Sequence, residues 1–126
     1  MKGNQIRTGQ IIYMKTKSKK NHSVPISEKL QAELPSSRKA QLLFKPCYSA
    51  FRKAMQRAGI ETPDGQLTHV LRHTFASHFM MNGGNILVLQ RILGHTDIKV
   101  TMRYAHFAPE HLVEAKLLNP LFQLEI

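Results

Sequence analysis

The chain has 126 residues, and 18 Lys plus Arg against 8 Asp plus Glu give it a formal net charge of +10. That length suits one domain with a modest core, and the charge favours a polyanionic partner such as nucleic acid. No apolar run of about 18 residues, lipidation motif or signal-peptide core is present, so we expect a cytoplasmic protein without membrane attachment. The single cysteine, Cys47, excludes an internal disulfide and a cysteine-based zinc site.

Residues 1–9 are polar, carry no pattern and form a leader that ends in a turn at Gly9. Residues 10–26 predict a β-hairpin, with one strand over 10–15, a second over 22–26 and Pro25 in an edge position. Four lysines crowd the connection between the strands: Lys15, Lys17, Lys19 and Lys20. Taken alone, such a cluster is more often a solvated hairpin tip than a functional site.

Residues 27–118 predict a helical core. Ser27 caps a short helix over 28–34 that Pro35 stops, and a second helix over 48–58 is closed by Gly59. The apolar stripe of the second helix consists of Phe51, Ala54, Met55 and Ala58. Its basic residues lie away from that stripe, where a solvated face is favoured over contacts with DNA backbone: Arg52, Lys53 and Arg57.

A polar stripe marks the next helix, which Thr68 caps and the run Asn82-Gly83-Gly84 ends. Its apolar face consists of Phe75, Phe79 and Met80. His69, Arg72 and His73 stand at positions i, i+3 and i+4 and therefore share one face. A guanidinium there can grip a phosphate with two parallel hydrogen bonds, beside an imidazole.

Two shorter helices are predicted after Gly84. The apolar run over 85–93 forms a helix that Gly94 terminates, which leaves His95 on the turn beyond it. Thr96 caps the following helix with Asp97 in its first turn, and Tyr104 comes two turns later. Pro109 opens a last helix over 110–118, and residues 119–126 form an apolar tail.

In this order and spacing, His69-x-x-Arg72-His73, Leu93-Gly94-His95 and Tyr104 resemble the tyrosine recombinase family, the phage integrases and their relatives that cut and rejoin DNA through a phosphotyrosine. The resemblance covers residues 10–121 and is sharpest over 67–106. It also includes Phe75-Ala-Ser-His78, Thr101-Met-Arg-Tyr104 and Asn119-Pro120-Leu121. It implies a mainly α fold with a small antiparallel β-hairpin or sheet, the integrase-type catalytic core, as a single partial domain over 1–126.

The resemblance makes Tyr104 the nucleophile, which would give a 3′-phosphotyrosine and a free 5′-hydroxyl without a metal or any other cofactor. Arg72 and His95 would donate hydrogen bonds to the phosphate, and His69 would transfer a proton or orient the phosphate. The family places a catalytic lysine in a hairpin ahead of a Val-Pro-Ile element, and the matching position is Lys17. A register error of two leaves Lys15 and Lys19 open. His73 could orient the guanidinium of Arg72, but a structural role is favoured over a chemical one, and the residue is assigned a supporting role.

The implied partner is double-stranded DNA carrying attachment sites. Candidate DNA-binding residues are Lys15, Lys19, Lys20, Arg52 and Lys53. The family works as a homotetramer on synapsed sites. This assembly is compatible with isolated chains that are monomers. One departure stands out, because the family needs a first arginine upstream of the hairpin and residues 1–9 do not supply it. We therefore expect the carboxy-terminal part of a longer integrase, with weak or absent cleavage by this chain alone.

Two other classes remain open at this point. The segments over 86–93 and 97–107 resemble a helix-turn-helix, which would make the chain a non-catalytic DNA-binding module or remnant. Alternatively, His69 and His73, with His95, could hold a metal ion, although no cysteine or carboxylate accompanies them and Arg72 would oppose the cation.

Overall fold

The computed structural model describes residues 1–13, 21–35, 41–63, 65–110 and 112–120. The hairpin lysines Lys15, Lys17, Lys19 and Lys20 lie outside these residues, as do the end of the predicted first strand and most of the predicted tail. The described part is mainly helical with one small antiparallel sheet, which confirms the predicted fold class.

The sheet has three strands in the order β1-β2-β3: β1 is Ile6–Arg7, β2 is Gln10–Tyr13 and β3 is His22–Pro25. Both pairings are antiparallel, and Ile11 lies opposite Val24, so the predicted pairing of the two hairpin strands is confirmed. Strand β3 lies at one edge, where the missing N–H of Pro25 is tolerated.

The leader is more ordered than its sequence suggested. A 3-10 turn over Gly3–Gln5 precedes β1, and the N–H of Gly3 donates to the Gln41 carbonyl. Gly9, with φ +75°, makes the tight turn into β2. The sequence did not predict β1 within residues 1–9, because a strand of two residues is too short to show any periodicity.

Helices α1 and α2 follow the sheet. Helix α1 is Glu28–Glu33, and the Ser27 side chain accepts a hydrogen bond from the Leu30 N–H at 3.2 Å, as a cap should. Helix α2 is Tyr48–Arg57 and buries Met55. Its predicted apolar stripe is only partly correct, because two of the four residues, Ala54 and Ala58, are exposed to solvent.

Helix α3 is His69–Met81 and helix α4 is Ile86–Leu93. Thr68 occupies the predicted cap position of α3, but its side chain makes no capping hydrogen bond. The Asn85 side chain caps α4 by accepting from the N–H groups of Leu87 and Val88.

The last elements are α5 (Ile98–Met102), a 3-10 turn over Ala105–Phe107, and α6 (Leu112–Leu117). Asp97, and not Thr96, caps α5, because its carboxylate accepts from the Lys99 N–H at 2.9 Å. The helix ends at Met102, so Tyr104 lies just past it, where the sequence predicted a continuous helix.

The core gathers around helices α3 and α4. Its buried residues are Ala76, Met80, Leu89, Leu93 and Tyr104, with Phe79, Ile86, Phe107 and Ala108 packed against them. The predicted apolar face of α3 is correct at Met80 and Phe79, whereas Phe75 is 47% exposed. Within the described residues, no helix is long and apolar enough to cross a membrane.

Leu89 is fully buried at the centre of α4, whereas Leu87 on the same helix is 56% exposed. Leu89→Ala should lower the free energy of unfolding by about 2–5 kcal/mol, since it leaves a cavity in the core. Leu87→Ala, the matched control, should cost under about 1 kcal/mol. Urea denaturation followed by circular dichroism measures both, and equal losses would contradict this assignment of the core.

Candidate active site

Helix α3 presents His69, Arg72 and His73 on one face, as their spacing predicted. All three line a cavity of about 410 Å³ that is completed by residues from α5, from the turns flanking it and from the loop before α3. His69 is exposed, and its ring centroid lies 6.4 Å from that of His73. Among the described residues, no hydrogen-bond partner is found for the His69 ring, so this side chain is free to meet a ligand.

The turn after α4 supplies His95. Gly94 adopts the left-handed conformation, with φ +67°, that the helix end requires. The His95 N–H donates to the Gln90 carbonyl, and the Gln90 side-chain amide donates to the His95 carbonyl, both at 3.1 Å. The turn is therefore held from both sides, which fixes the backbone from which the His95 ring projects.

Arg72 joins α3 to that turn. Its Nη2 atom donates to the Leu93 carbonyl at 2.5 Å and lies 3.1 Å from Nε2 of His95. The first contact also satisfies one of the carbonyls left free at the end of α4. Arg72 is thus held in the cavity before any ligand binds.

His95 lies between two groups. Its Nδ1 atom is 2.9 Å from the hydroxyl of Thr101, on the side opposite Arg72. The pKa of His95 is lowered from its ordinary value, first by burial and then by the positive charges of Arg72 and Arg103. Burial and the two positive charges therefore both favour the neutral ring of His95.

Tyr104 projects from the turn after α5 and meets α3 at His73. Its hydroxyl is 2.5 Å from Nδ1 of His73, and the two ring centroids are 5.9 Å apart. The tyrosine is only 5% exposed, so packing in the core fixes the ring while the residue still lines the cavity. His73, for which the sequence favoured a structural role over one in orienting Arg72, contacts the tyrosine hydroxyl.

Five sequence-predicted residues therefore meet at one cavity: His69, Arg72, His73, His95 and Tyr104. The hairpin lysines lie outside the described residues, and no contact can be assigned to them. Arg52 and Lys53 are exposed on α2, where Arg52 lines a separate cleft of about 710 Å³.

Three residues with a clear place in the site were missed by the sequence analysis. Arg103 and Gln66 line the cavity, and Thr101 contacts His95. Arg103 could have been found from its position beside Tyr104. Thr101 shows no such signal, because its role depends on how the turn and α5 fold together.

The cavity is suited to an anion. None of its described lining residues is acidic, and Arg72 and Arg103 both contribute positive charge. The described residues contain no group of three or more histidines, cysteines or carboxylates placed to hold a metal ion. Two of the three histidines of the metal hypothesis are already engaged, His73 by the Tyr104 hydroxyl and His95 by Arg72 and Thr101.

Comparison with known proteins agrees with this geometry. A family model described as the phage integrase family matches residues 31–111. The integrase of Escherichia phage 186 is 63% identical over 124 residues, which are 98% of this chain and 37% of that protein. The integrase of Haemophilus phage HP1 is 61% identical over 117 residues, 93% of this chain and 34% of that protein. Tyrosine recombinase XerD of Rickettsia bellii is 37% identical over 87 residues, 69% of this chain and 28% of that protein.

A solved structure extends the likeness to the fold. The catalytic domain of bacteriophage HP1 integrase matches with a TM-score of 0.90 and 56% identity, over 100% of this chain and 74% of that chain. Together with the helical core, the small sheet and a cavity lined by both Arg72 and Tyr104, these matches define a tyrosine recombinase catalytic fragment. The chain belongs to the phage integrase family. It spans about a third of the length of the curated phage integrases that it matches, 37% and 34% in the two named above.

The charges around His95 lead to a graded prediction. Arg72→Gln should raise the pKa of His95, and Arg103→Gln should raise it less, because Arg72 is the stronger of the two positive influences. Arg91→Gln, on the exposed side of α4, should leave it unchanged. A pH titration of the histidine resonances by NMR measures all three, and an unchanged pKa in Arg72→Gln would contradict the assignment.

The same shift sets a direction for stability. Because the folded state lowers the pKa of His95, the unfolded state binds its proton more readily, so this contribution to stability is present above the unfolded pKa of about 6.5. It is lost as the pH falls from there through the folded pKa.

Proposed function

We propose that this chain forms most of the catalytic site of a site-specific recombinase, in which Tyr104 attacks a DNA phosphodiester. The observation that carries the proposal is the convergence of the Tyr104 hydroxyl, Arg72 and three histidines on one cavity without acidic lining. The names of the relatives, integrase and tyrosine recombinase, support the same chemistry.

Activation of the tyrosine is the first requirement. A phenol with an ordinary pKa of about 10 is a weak nucleophile at neutral pH and needs a group that removes its proton. Nδ1 of His73 lies at hydrogen-bonding distance from the hydroxyl, whereas no contact joins His69 to it. His73 therefore accepts the proton as the Tyr104 oxygen bonds to phosphorus, and His69 remains available to orient the phosphate.

The second requirement is to stabilise the negative charge that develops on the phosphate oxygens. The pentacoordinate transition state gathers negative charge on its non-bridging oxygens, and fixed donors lower its energy. Arg72 supplies a guanidinium whose position the Leu93 carbonyl already sets, and His95 lies beside it. Because both side chains are held before DNA binds, little movement of their heavy atoms is needed at the moment of reaction.

The leaving group completes the balance. As the bond from phosphorus to the 5′-oxygen breaks, that oxygen takes a proton, and the family resemblance assigns the donation of this proton to Lys17. The products are a 3′-phosphotyrosine on Tyr104 and a free 5′-hydroxyl. Attack by another 5′-hydroxyl reverses these steps and rejoins the strands, with the bond energy kept in the phosphotyrosine.

Double-stranded DNA is the proposed substrate. The net charge of +10 favours it through counterion release. Arg52 and Lys53 are exposed on α2 and are proposed, with the hairpin residues Lys15, Lys19 and Lys20, to contact the backbone. A homotetramer on synapsed sites is the proposed working assembly. Since the sequence lacks the first arginine of the family, cleavage by the 126 residues alone should be weak.

The direct test uses this chain joined to an upstream segment that carries the missing arginine. Incubation with a nicked suicide substrate of the attachment site should give a covalent protein–DNA adduct on a denaturing gel. Tyr104→Phe should abolish the adduct, because it removes the only atom that bonds to phosphorus. Tyr48→Phe, at a tyrosine 61% exposed on α2, should leave it intact.

Two outcomes would overturn the proposal. An adduct that persists in Tyr104→Phe would place the nucleophile elsewhere. Salt-sensitive binding to a verified site without any adduct would instead identify a DNA-binding remnant.

His73 has its own expected signature. His73→Ala should slow adduct formation by about 10²-fold or more, the usual contribution of a positioned acid or base, while the affinity for DNA stays near that of the parent protein. His78→Ala, at an exposed histidine of the same helix, is the matched control and should change neither. Adduct formation in His73→Ala at the parental rate would exclude His73 from the proton transfer.

A further inference from the structure

Thr101 is the buried polar residue nearest to the site. Its exposure is 0%, and its hydroxyl is 2.9 Å from Nδ1 of His95. Among the described residues, the His95 ring is the hydrogen-bond partner of that hydroxyl. Breaking this hydrogen bond would leave a buried hydroxyl without a partner, which costs free energy. The contact between Thr101 and His95 is therefore strongly favoured.

The opposite side of the ring settles where its proton lies. Nε2 of His95 is 3.1 Å from Nη2 of Arg72, and a guanidinium can only donate. Nε2 must therefore accept and carries no hydrogen. A neutral imidazole then has its hydrogen on Nδ1, which donates to the Thr101 oxygen.

We infer that Thr101 is a positioning residue, which together with Arg72 holds His95 as the Nδ1–H tautomer in the protein without DNA and directs the Nε2 atom of His95 toward the guanidinium. The two contacts lie on opposite sides of the ring and together define its orientation. The inference deepens the proposed recombinase site, and its consequence for cleavage rests on that proposed function.

The position of Thr101 in the fold supports this role. It lies in α5, three residues before Tyr104, and the Tyr104 N–H donates to the Thr101 carbonyl at 3.0 Å. The same turn of chain therefore places the nucleophile and orients the histidine that assists it. A change at Thr101 is expected to act on the site through His95.

The Thr101 hydroxyl is also compatible with the change of protonation at His95 that substrate binding requires. To donate to a phosphate oxygen, Nε2 of His95 must gain a hydrogen. The Thr101 hydroxyl can accept from Nδ1–H and can equally donate to a bare Nδ1, so it supports the ring in either tautomer and in the protonated form. Valine has the same shape but can do neither.

Among the described residues, no acidic side chain is found facing His95. The charged groups that face it are Arg72 from α3 and Arg103 from the end of α5, both positive. The nearest carboxylate along the chain, Asp97, accepts instead from the Lys99 N–H. The other titratable groups of the cavity are His69, His73 and Tyr104. From the sheet side, His22 contacts the Ile92 carbonyl beside Gly94.

The test begins with the 126-residue chain itself, without DNA. Long-range ¹H–¹⁵N spectra of histidine-labelled protein at pH 7.5 distinguish protonated from bare ring nitrogens, and the loss of signals in His95→Gln assigns the ring. The expected result is a protonated Nδ1 and a bare Nε2. The opposite tautomer, or a doubly protonated ring, would overturn the inference in the parent protein, whatever any variant does.

Substitutions at Thr101 test whether this residue contributes to the tautomer preference of His95. Thr101→Val should reduce the population of the Nδ1–H tautomer, and Thr101→Ser should restore it, because serine keeps the hydroxyl. Met102→Ala, at a residue 50% exposed on the same helix, should not change the spectrum and controls for effects on α5. If Thr101→Val does not fold, a spectrum of Thr101→Ser unlike that of the parent would still contradict the inference. A parental pattern in folded Thr101→Val would also overturn it.

The rate of DNA cleavage tests whether the orientation of His95 by Thr101 matters for the proposed function. In the extended protein, Thr101→Val should slow adduct formation by about tenfold or more, as loss of an orienting partner does elsewhere, and should alter its pH profile, with rescue by serine. Failure of every protein to form an adduct would refute the proposed function and leave the tautomer result to stand by itself. A parental rate in Thr101→Val, with the tautomer lost, would refute the role in cleavage.

Discussion

The site depends on the hydrogen bonds that Arg72 makes to the Leu93 carbonyl and to the His95 ring. They connect the middle of the site with the end of α4, so Arg72, His95 and the helix terminus form one unit. A guanidinium held in this way keeps its position without a ligand, which is what a site that stabilises a short-lived charge requires. Burial lowers the pKa of His95, and the positive charges of Arg72 and Arg103 lower it further.

The hydrophobic core also fixes the relative positions of the residues in the site. Leu89 and Leu93 of α4 pack with Ala76 and Met80 of α3, and Tyr104 belongs to this cluster. The proposed nucleophile is therefore a core residue whose hydroxyl reaches the cavity beside His73. Stability and the geometry of the site are linked here, because any shift between α3 and α4 would move Arg72 and Tyr104 relative to each other.

Much of the fold and most of the cavity could be predicted from the sequence, because the signals are local. Gly94 ends α4, and the spacing of His69, Arg72 and His73 places them on one helix face. Contacts between elements carry no such signal. The sequence did not reveal that His73 meets Tyr104 or that Thr101 meets His95, since these pairs are formed by how α3, the turn and α5 pack. The exposure of Phe75 and Ala54 was missed for a related reason, because periodicity predicts an apolar face but not what covers it.

Mass spectrometry can test, without any substitution, whether the Tyr104 oxygen forms the covalent bond to DNA. The covalent complex of the extended protein would be digested with nuclease and protease, and the peptide that keeps a nucleotide would be sequenced. A phosphodeoxynucleotide on Tyr104 is expected. A nucleotide on another side chain, such as Tyr13 or Tyr48, would contradict it.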